Sequence, residues 1–206
     1  MRIDSGVQQF IGIIAIGVIF VLTCSALPHK DLNEYGLWLA FHKLDDHDFN
    51  TTGEPKELNF SWEDYGGDTS LTNLYQPLFM YSPDSSFFID MDSYSLDLEK
   101  DENGLYTSSG VGVDTKVQLV NRATNKSVDL IFCGTQCYSE TVVWFSDYLV
   151  QISGFRIDEK VKYIPTLLRI DIKNNLVWNF ESNHHFKKKP ASYANAFRYT
   201  QINFKY

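Results

Sequence analysis

The 206-residue chain has no Gly-x-Ser-x-Gly elbow, no Gly-rich phosphate loop and no dinucleotide fingerprint. Nothing in it therefore announces nucleophilic hydrolysis, phosphoryl transfer or hydride chemistry, and no cofactor is expected. Positive charge is also scarce: 18 Lys and Arg against 26 Asp and Glu leave a net charge of -8 and a pI near 5.0. Polyphosphate binding relies on cationic side chains displacing counterions, so a nucleic-acid partner is excluded and a basic protein is the natural complement. The helix formers Ala and Glu never gather into periodic runs. Instead 15 Phe and 12 Tyr accompany a hydrophobic content of 44%, which predicts one well-buried all-β domain.

The exception to this mixed composition is the start. Phe10 to Leu22 is an uninterrupted apolar run. Its length suits a signal-peptide core, while extension to Leu27 just reaches the span of an uncleaved anchor. The run ends in Val21-Leu22-Thr23-Cys24, which resembles the bacterial lipoprotein box, with Val21 and Thr23 where that family prefers Leu and Gly, Ala or Ser. The resemblance implies that Cys24 carries lipid; a competing cleavage site follows Ala26. Residues 1–26 are thus expected to be a signal or anchor, residues 27–35 a polar tether, and the remainder an exported domain held at the membrane by its N-terminus.

Within residues 36–206 the pattern is alternation with period two. Gly36 to His42 alternates Leu37, Leu39 and Phe41 against Trp38 and Ala40 and is expected to be a first strand; Leu58, Phe60 and Trp62 mark a second. Two stretches, 77–132 and 141–181, each read as four short antiparallel strands in a meander. The first has a phase switch near Ser93, expected to be a bulge or bend, and a hairpin insertion closed by Asp101 to Gly104. Its third strand is expected to carry Val111, Val113, Val117 and Leu119, its fourth Val128, Leu130 and Phe132. The Ser82-Pro83-Asp84 and Asn174-Asn175 turns and the internal repeat resemble β-propeller blades. Two blades do not close a ring, so a sandwich or an open blade pair is expected. The aromatic tail Phe197 to Tyr206 is expected to pair as a strand, with Gly36 to His42 as a candidate neighbour.

Candidate chemistry is sparse. Cys133 and Cys137, left alone in an oxidising compartment once Cys24 is lipidated or removed, are expected to form a disulfide. So short a loop stabilises by only about 2 kcal/mol. Placing Gly104 at the sixth position of a calcium loop puts Gly110 where a bidentate Glu is required, so no metal site is expected there. Adjacent His184 and His185 on an extended chain point apart and do not chelate together. Glu63 and Asp64 are too close for a glycosidase pair. Lys187 to Lys189 read as a solvated loop. The expected contact residues are acidic and aromatic, Asp45, Asp46, Asp48, Trp62, Asp64, Tyr65 and Asp68, and the acidic turns Asp45 to Asp48, Glu63 to Asp68 and Asp97 to Glu102 are expected to form one negative rim around aromatic groups. Exclusion of chemistry points to a non-catalytic protein-binding module, of the kind that an immunity protein or inhibitor of a secreted toxin or enzyme would be. A glycan-binding surface protein and a small hydrolase are the alternatives.

Overall fold

The computed structural model describes residues 33–66 and 73–204. The lipidation candidate Cys24, the rest of the expected leader and Asp68 lie outside the described residues. Among the described residues no helix is long and apolar enough to cross a membrane.

The fold is all-β, built from antiparallel sheets with little helix. One meander consists of β10 (Cys137–Trp144), β11 (Leu149–Ile157), β12 (Tyr163–Asp171) and β13 (Leu176–Ser182). The other consists of β4 (Met80–Tyr81), β5 (Phe87–Asp90), β8 (Thr115–Asn121) and β9 (Lys126–Cys133). In each, neighbours in sequence order pair antiparallel. Alternate residues of both meet in one apolar cluster: Phe87, Ile89, Val117 and Leu119 from one sheet, Val142, Val150, Ile152, Ile170 and Val177 from the other. That shared burial, about 1.5–3 kcal/mol per large side chain, holds the two meanders face to face. No sheet among the described residues closes on itself.

The strap between 49 and 64 ties the sheets together. β1 (Phe49–Thr51) and β2 (Lys56–Glu57) both pair with β13, and β3 (Glu63–Asp64) pairs with β9. Between them Leu58, Phe60 and Trp62 pack against the shared core. Their alternation is as expected, but they form no strand, because this stretch crosses from one sheet to the other.

Both outer faces are covered. Phe88 and Val120 point away from the shared core and pack beneath a third sheet, made by β6 (Leu96–Lys100), β7 (Tyr106–Val111) and β14 (Ile202–Phe204). The phase switch near Ser93 is therefore a change of sheet, not a bulge within a strand. β6 and β7 form the expected hairpin, turned at Gly104 with φ +82°. Val111 ends β7 and Val113 lies in the loop beyond it, so the third meander strand begins only at Thr115. β14 pairs parallel with β7 rather than with the 36–42 segment. Phe197 and Arg198 belong to a short helical turn, Ala194–Arg198.

On the other outer face the expected first strand is a helix, α1 (Glu34–His42). Asn33 caps its start by accepting from the Gly36 amide, and Lys43 ends it in a left-handed conformation whose amide returns to the last turn. Helix spacing brings Trp38 and His42, four residues apart, onto one face against Val143, Phe155 and Leu167. Burial of both decides for helix over the strand-like alternation.

Candidate functional site

Below α1 the strand β10 has one residue too many. Its register with β11 slips between Ser139 and Thr141, leaving Glu140 as the extra residue of a bulge. Gly154 makes the bulge possible: a Cβ there would lie 2.2 Å from the Tyr138 carbonyl oxygen and 2.9 Å from the Ser139 Cα. Glu140 is 1% exposed, and its carboxylate accepts the Trp38 indole N–H at 2.9 Å, the Tyr193 amide at 3.0 Å and a His42 Nε2 hydrogen bond at 2.7 Å. Three donors satisfy a charge that would otherwise be very costly to bury. Glu34 extends the network by accepting from the Tyr193 and Thr141 hydroxyls.

A second buried carboxylate, Asp92, lies at the foot of the 194–198 turn. It is held by the Arg198 guanidinium and by the Tyr199 hydroxyl at 2.5 Å. Burial pushes the Asp92 carboxyl up, against the Arg198 charge and the Tyr199 hydrogen bond, which favour its ionised form. Burial likewise opposes the Arg198 charge, and the Asp92 carboxylate more than offsets it, so Arg198 stays above its ordinary value. Arg198 also reaches the Glu140 carbonyl at 3.5 Å.

Beside Glu140 opens a cleft of about 470 Å³. Val111 to Thr115 form one wall, Cys137 to Ser139 the other, and Lys189 stands at its edge with its ammonium 5.3 Å from the Tyr138 ring centre. Burial, reinforced by the neighbouring Glu140, raises the Tyr138 hydroxyl well above its usual value and keeps it neutral. The disulfide expected from Cys133 and Cys137 is present, with Cα atoms 6.0 Å apart, and fixes the turn beside the cleft. Glu140 and Asp92 are committed to holding α1 and the C-terminal turn. What the cleft offers is a shape, with the hydroxyl and amide side chains of Thr135, Ser139 and Asn195 on its surface.

Beside it lies a patch of exposed apolar side chains: Val113 at 72%, Phe132 at 62%, Val111 at 53% and Tyr94 at 52%. Tyr94 and Phe132 meet edge to face at 5.8 Å, and the Gly112 amide donates to the Ser95 carbonyl, which holds both valines next to the Tyr94 loop. No protein-family model, curated protein or solved structure matches the chain.

The expected contact residues fall elsewhere. Tyr65 is buried and donates to Asp90 at 2.7 Å, and Trp62 is half-buried in the shared core. Asp45 and Asp48 cap a short helical turn reciprocally, and Asp46 accepts from the Tyr35 hydroxyl at 2.6 Å. That turn adjoins the last residues of β13, whereas Glu63 and Asp64 pair at the start of β9, at the opposite end of the sheets. Asp45, Asp46 and Asp48 on one side and Asp64 on the other thus form no common rim; the strap that links them runs the length of the sheets. The patch was missed because Phe132 alternates in phase with Val128 and Leu130. A bulge opposite Val117 and Gln118 leaves Leu130 as the extra residue, so Ile131 turns inward and Phe132 outward.

Proposed function

We propose that the protein is a non-catalytic binding module that presents Tyr94, Val111, Val113 and Phe132 to a protein partner. The observation that carries this reading is the contiguity of the four. Scattered apolar side chains on a surface need no explanation, but an aromatic pair flanked by two exposed valines at a cleft mouth has the composition of an interface centre. Asp97, Asp114 and Asp129 fringe the patch, with Lys116 paired to Asp129 at 3.2 Å and its ammonium 5.7 Å from the Tyr94 ring centre. A basic partner suits this fringe and the net charge of -8. In its fuller form the reading is that of an exported, membrane-anchored protein, with lipid at Cys24, that acts as an immunity protein or inhibitor of a secreted toxin or enzyme.

The test is capture of a partner from the host's secreted proteins, its identification, and measurement of its affinity for variants. Tyr94→Ser with Phe132→Ser should weaken binding by about thirtyfold or more, as for loss of an interface anchor, with circular dichroism and melting temperature unchanged. Asp45/Asp46/Asp48→Lys should leave the affinity within about twofold, since rim charges away from an interface contribute little. An identified partner indifferent to the loss of both aromatic rings would overturn the reading.

A further inference from the structure

By sequence alone the three consecutive lysines Lys187 to Lys189 read as a solvated loop. The structure adds two more. The Tyr163 and Phe186 backbones exchange hydrogen bonds in both directions at 2.9 Å, which lays the 184–189 loop beside the turn that carries Lys160 and Lys162. Lys160, Lys187, Lys188 and Lys189 are exposed and Lys162 is half-buried, with exposed His184 and His185 beside them. These five lysines, drawn from two segments of the sequence, gather at one end of a molecule whose net charge is -8. The nearby acids are engaged: Asp158 accepts the Lys160 and Lys162 amides, and Glu181 forms a two-point ion pair with Arg156. Glu159 is exposed in the same turn, and the acidic turn Asp45 to Asp48 adjoins the loop, where the Asp48 carbonyl accepts from Asn183; Asp45 and Asp48 cap that turn and Asp46 accepts from the Tyr35 hydroxyl.

We infer that this basic end of the molecule docks on an anionic lipid surface and so orients the domain on the membrane. Charge complementarity is one argument; the reach of the chain is the other. Ten residues separate the apolar run ending at Leu22 from Asn33, and they span at most about 35 Å when extended. α1 is about 13 Å long, and His42 at its end lies 6.4 Å, ring to ring, from Phe186 within the basic loop. The basic loop is thus within reach of any bilayer that holds the apolar run. This inference rests on the anchoring part of the functional reading, not on the partner surface. Each lysine at an anionic bilayer surface is worth about fivefold in partitioning.

The experiment reconstitutes the full chain on vesicles of phosphatidylcholine alone and on vesicles containing phosphatidylglycerol, then labels surface amines and quantifies each lysine by mass spectrometry. Lys187, Lys188 and Lys189 should label at least about fivefold more slowly on the anionic vesicles, while Lys56 and Lys126, near the opposite end of the sheets, label equally on both. High salt should abolish the difference, because screening shortens to about 3 Å at molar ionic strength. A Lys187/Lys188/Lys189→Glu variant, its fold checked by circular dichroism, should lose the difference between lipids but still float with neutral vesicles. Equal labelling of the cluster on both lipids overturns the inference. Failure to float with phosphatidylcholine overturns anchoring instead, and the labelling of chain recovered on anionic vesicles still decides the docking.

Discussion

Replacing Glu140 by Ala should strongly destabilise the fold, and the cost follows from its hydrogen bonds. The substitution leaves the Trp38 indole N–H, the His42 Nε2 hydrogen and the Tyr193 amide without an acceptor in a site that is 1% exposed. An unsatisfied buried donor costs about 1–3 kcal/mol, and three are left at once. Because water entering the vacated space recovers part of the loss, about 4 kcal/mol is the expected destabilisation. For a domain of this size that lowers the melting temperature by about 8–16 °C. Glu140→Gln separates hydrogen bonding from shape. Trp38 and His42 share Oε2 while Tyr193 uses Oε1. A Gln carbonyl in the Oε2 position keeps two donors satisfied and sets its amide against the Tyr193 N–H. Its cost should be that of one lost acceptor, about 1–3 kcal/mol. The assay is chemical denaturation followed by circular dichroism, with the midpoint shifting and the slope unchanged. A loss below about 1 kcal/mol for Ala, or equal losses for Ala and Gln, would show that the network does not hold α1 to the sheet.

Gly154→Ala should destabilise by about 2 kcal/mol or more, the scale of overpacking a close backbone contact, because its Cβ would meet the Tyr138 carbonyl oxygen at 2.2 Å; a melting temperature equal to wild type would contradict the bulge. Acid should act on two turns. Asp84 is held below its ordinary 3.8 by the Ser86 amide and the Ser82 and Ser86 hydroxyls, and Asp158 by the Lys162 and Lys160 amides. With folded values below the unfolded ones, their contribution is present above pH 3.8 and is lost as pH falls through the folded values. Carboxyl titrations by NMR should place both midpoints below 3.8, and a midpoint at or above that value for either refutes the turn geometry.

Much of the architecture was legible in the sequence because its causes are local. Alternation along 141–181 and 77–132 placed both four-stranded meanders, since a strand with one face in the core must repeat every two residues. Turn chemistry placed the Asn174-Asn175, Ser82-Pro83-Asp84 and Asp101 to Gly104 reversals, and the count of cysteines remaining beyond Cys24 pointed to the disulfide. What tertiary structure decided is what depends on partners distant in the chain. Leu37, Leu39 and Phe41 alternate as a strand would, yet Glu140, about a hundred residues away, draws Trp38 and His42 to one side and makes the segment a helix. Phe132 alternates as an inward residue, yet a bulge against β8 turns it to solvent and creates the proposed interface. The Lys187 to Lys189 run acquires Lys160 and Lys162 only through the backbone pairing of Tyr163 with Phe186. Periodicity reports which side of its own element a residue occupies; which surface that side meets, and where an extra residue shifts the register, is set by contacts that local sequence does not encode.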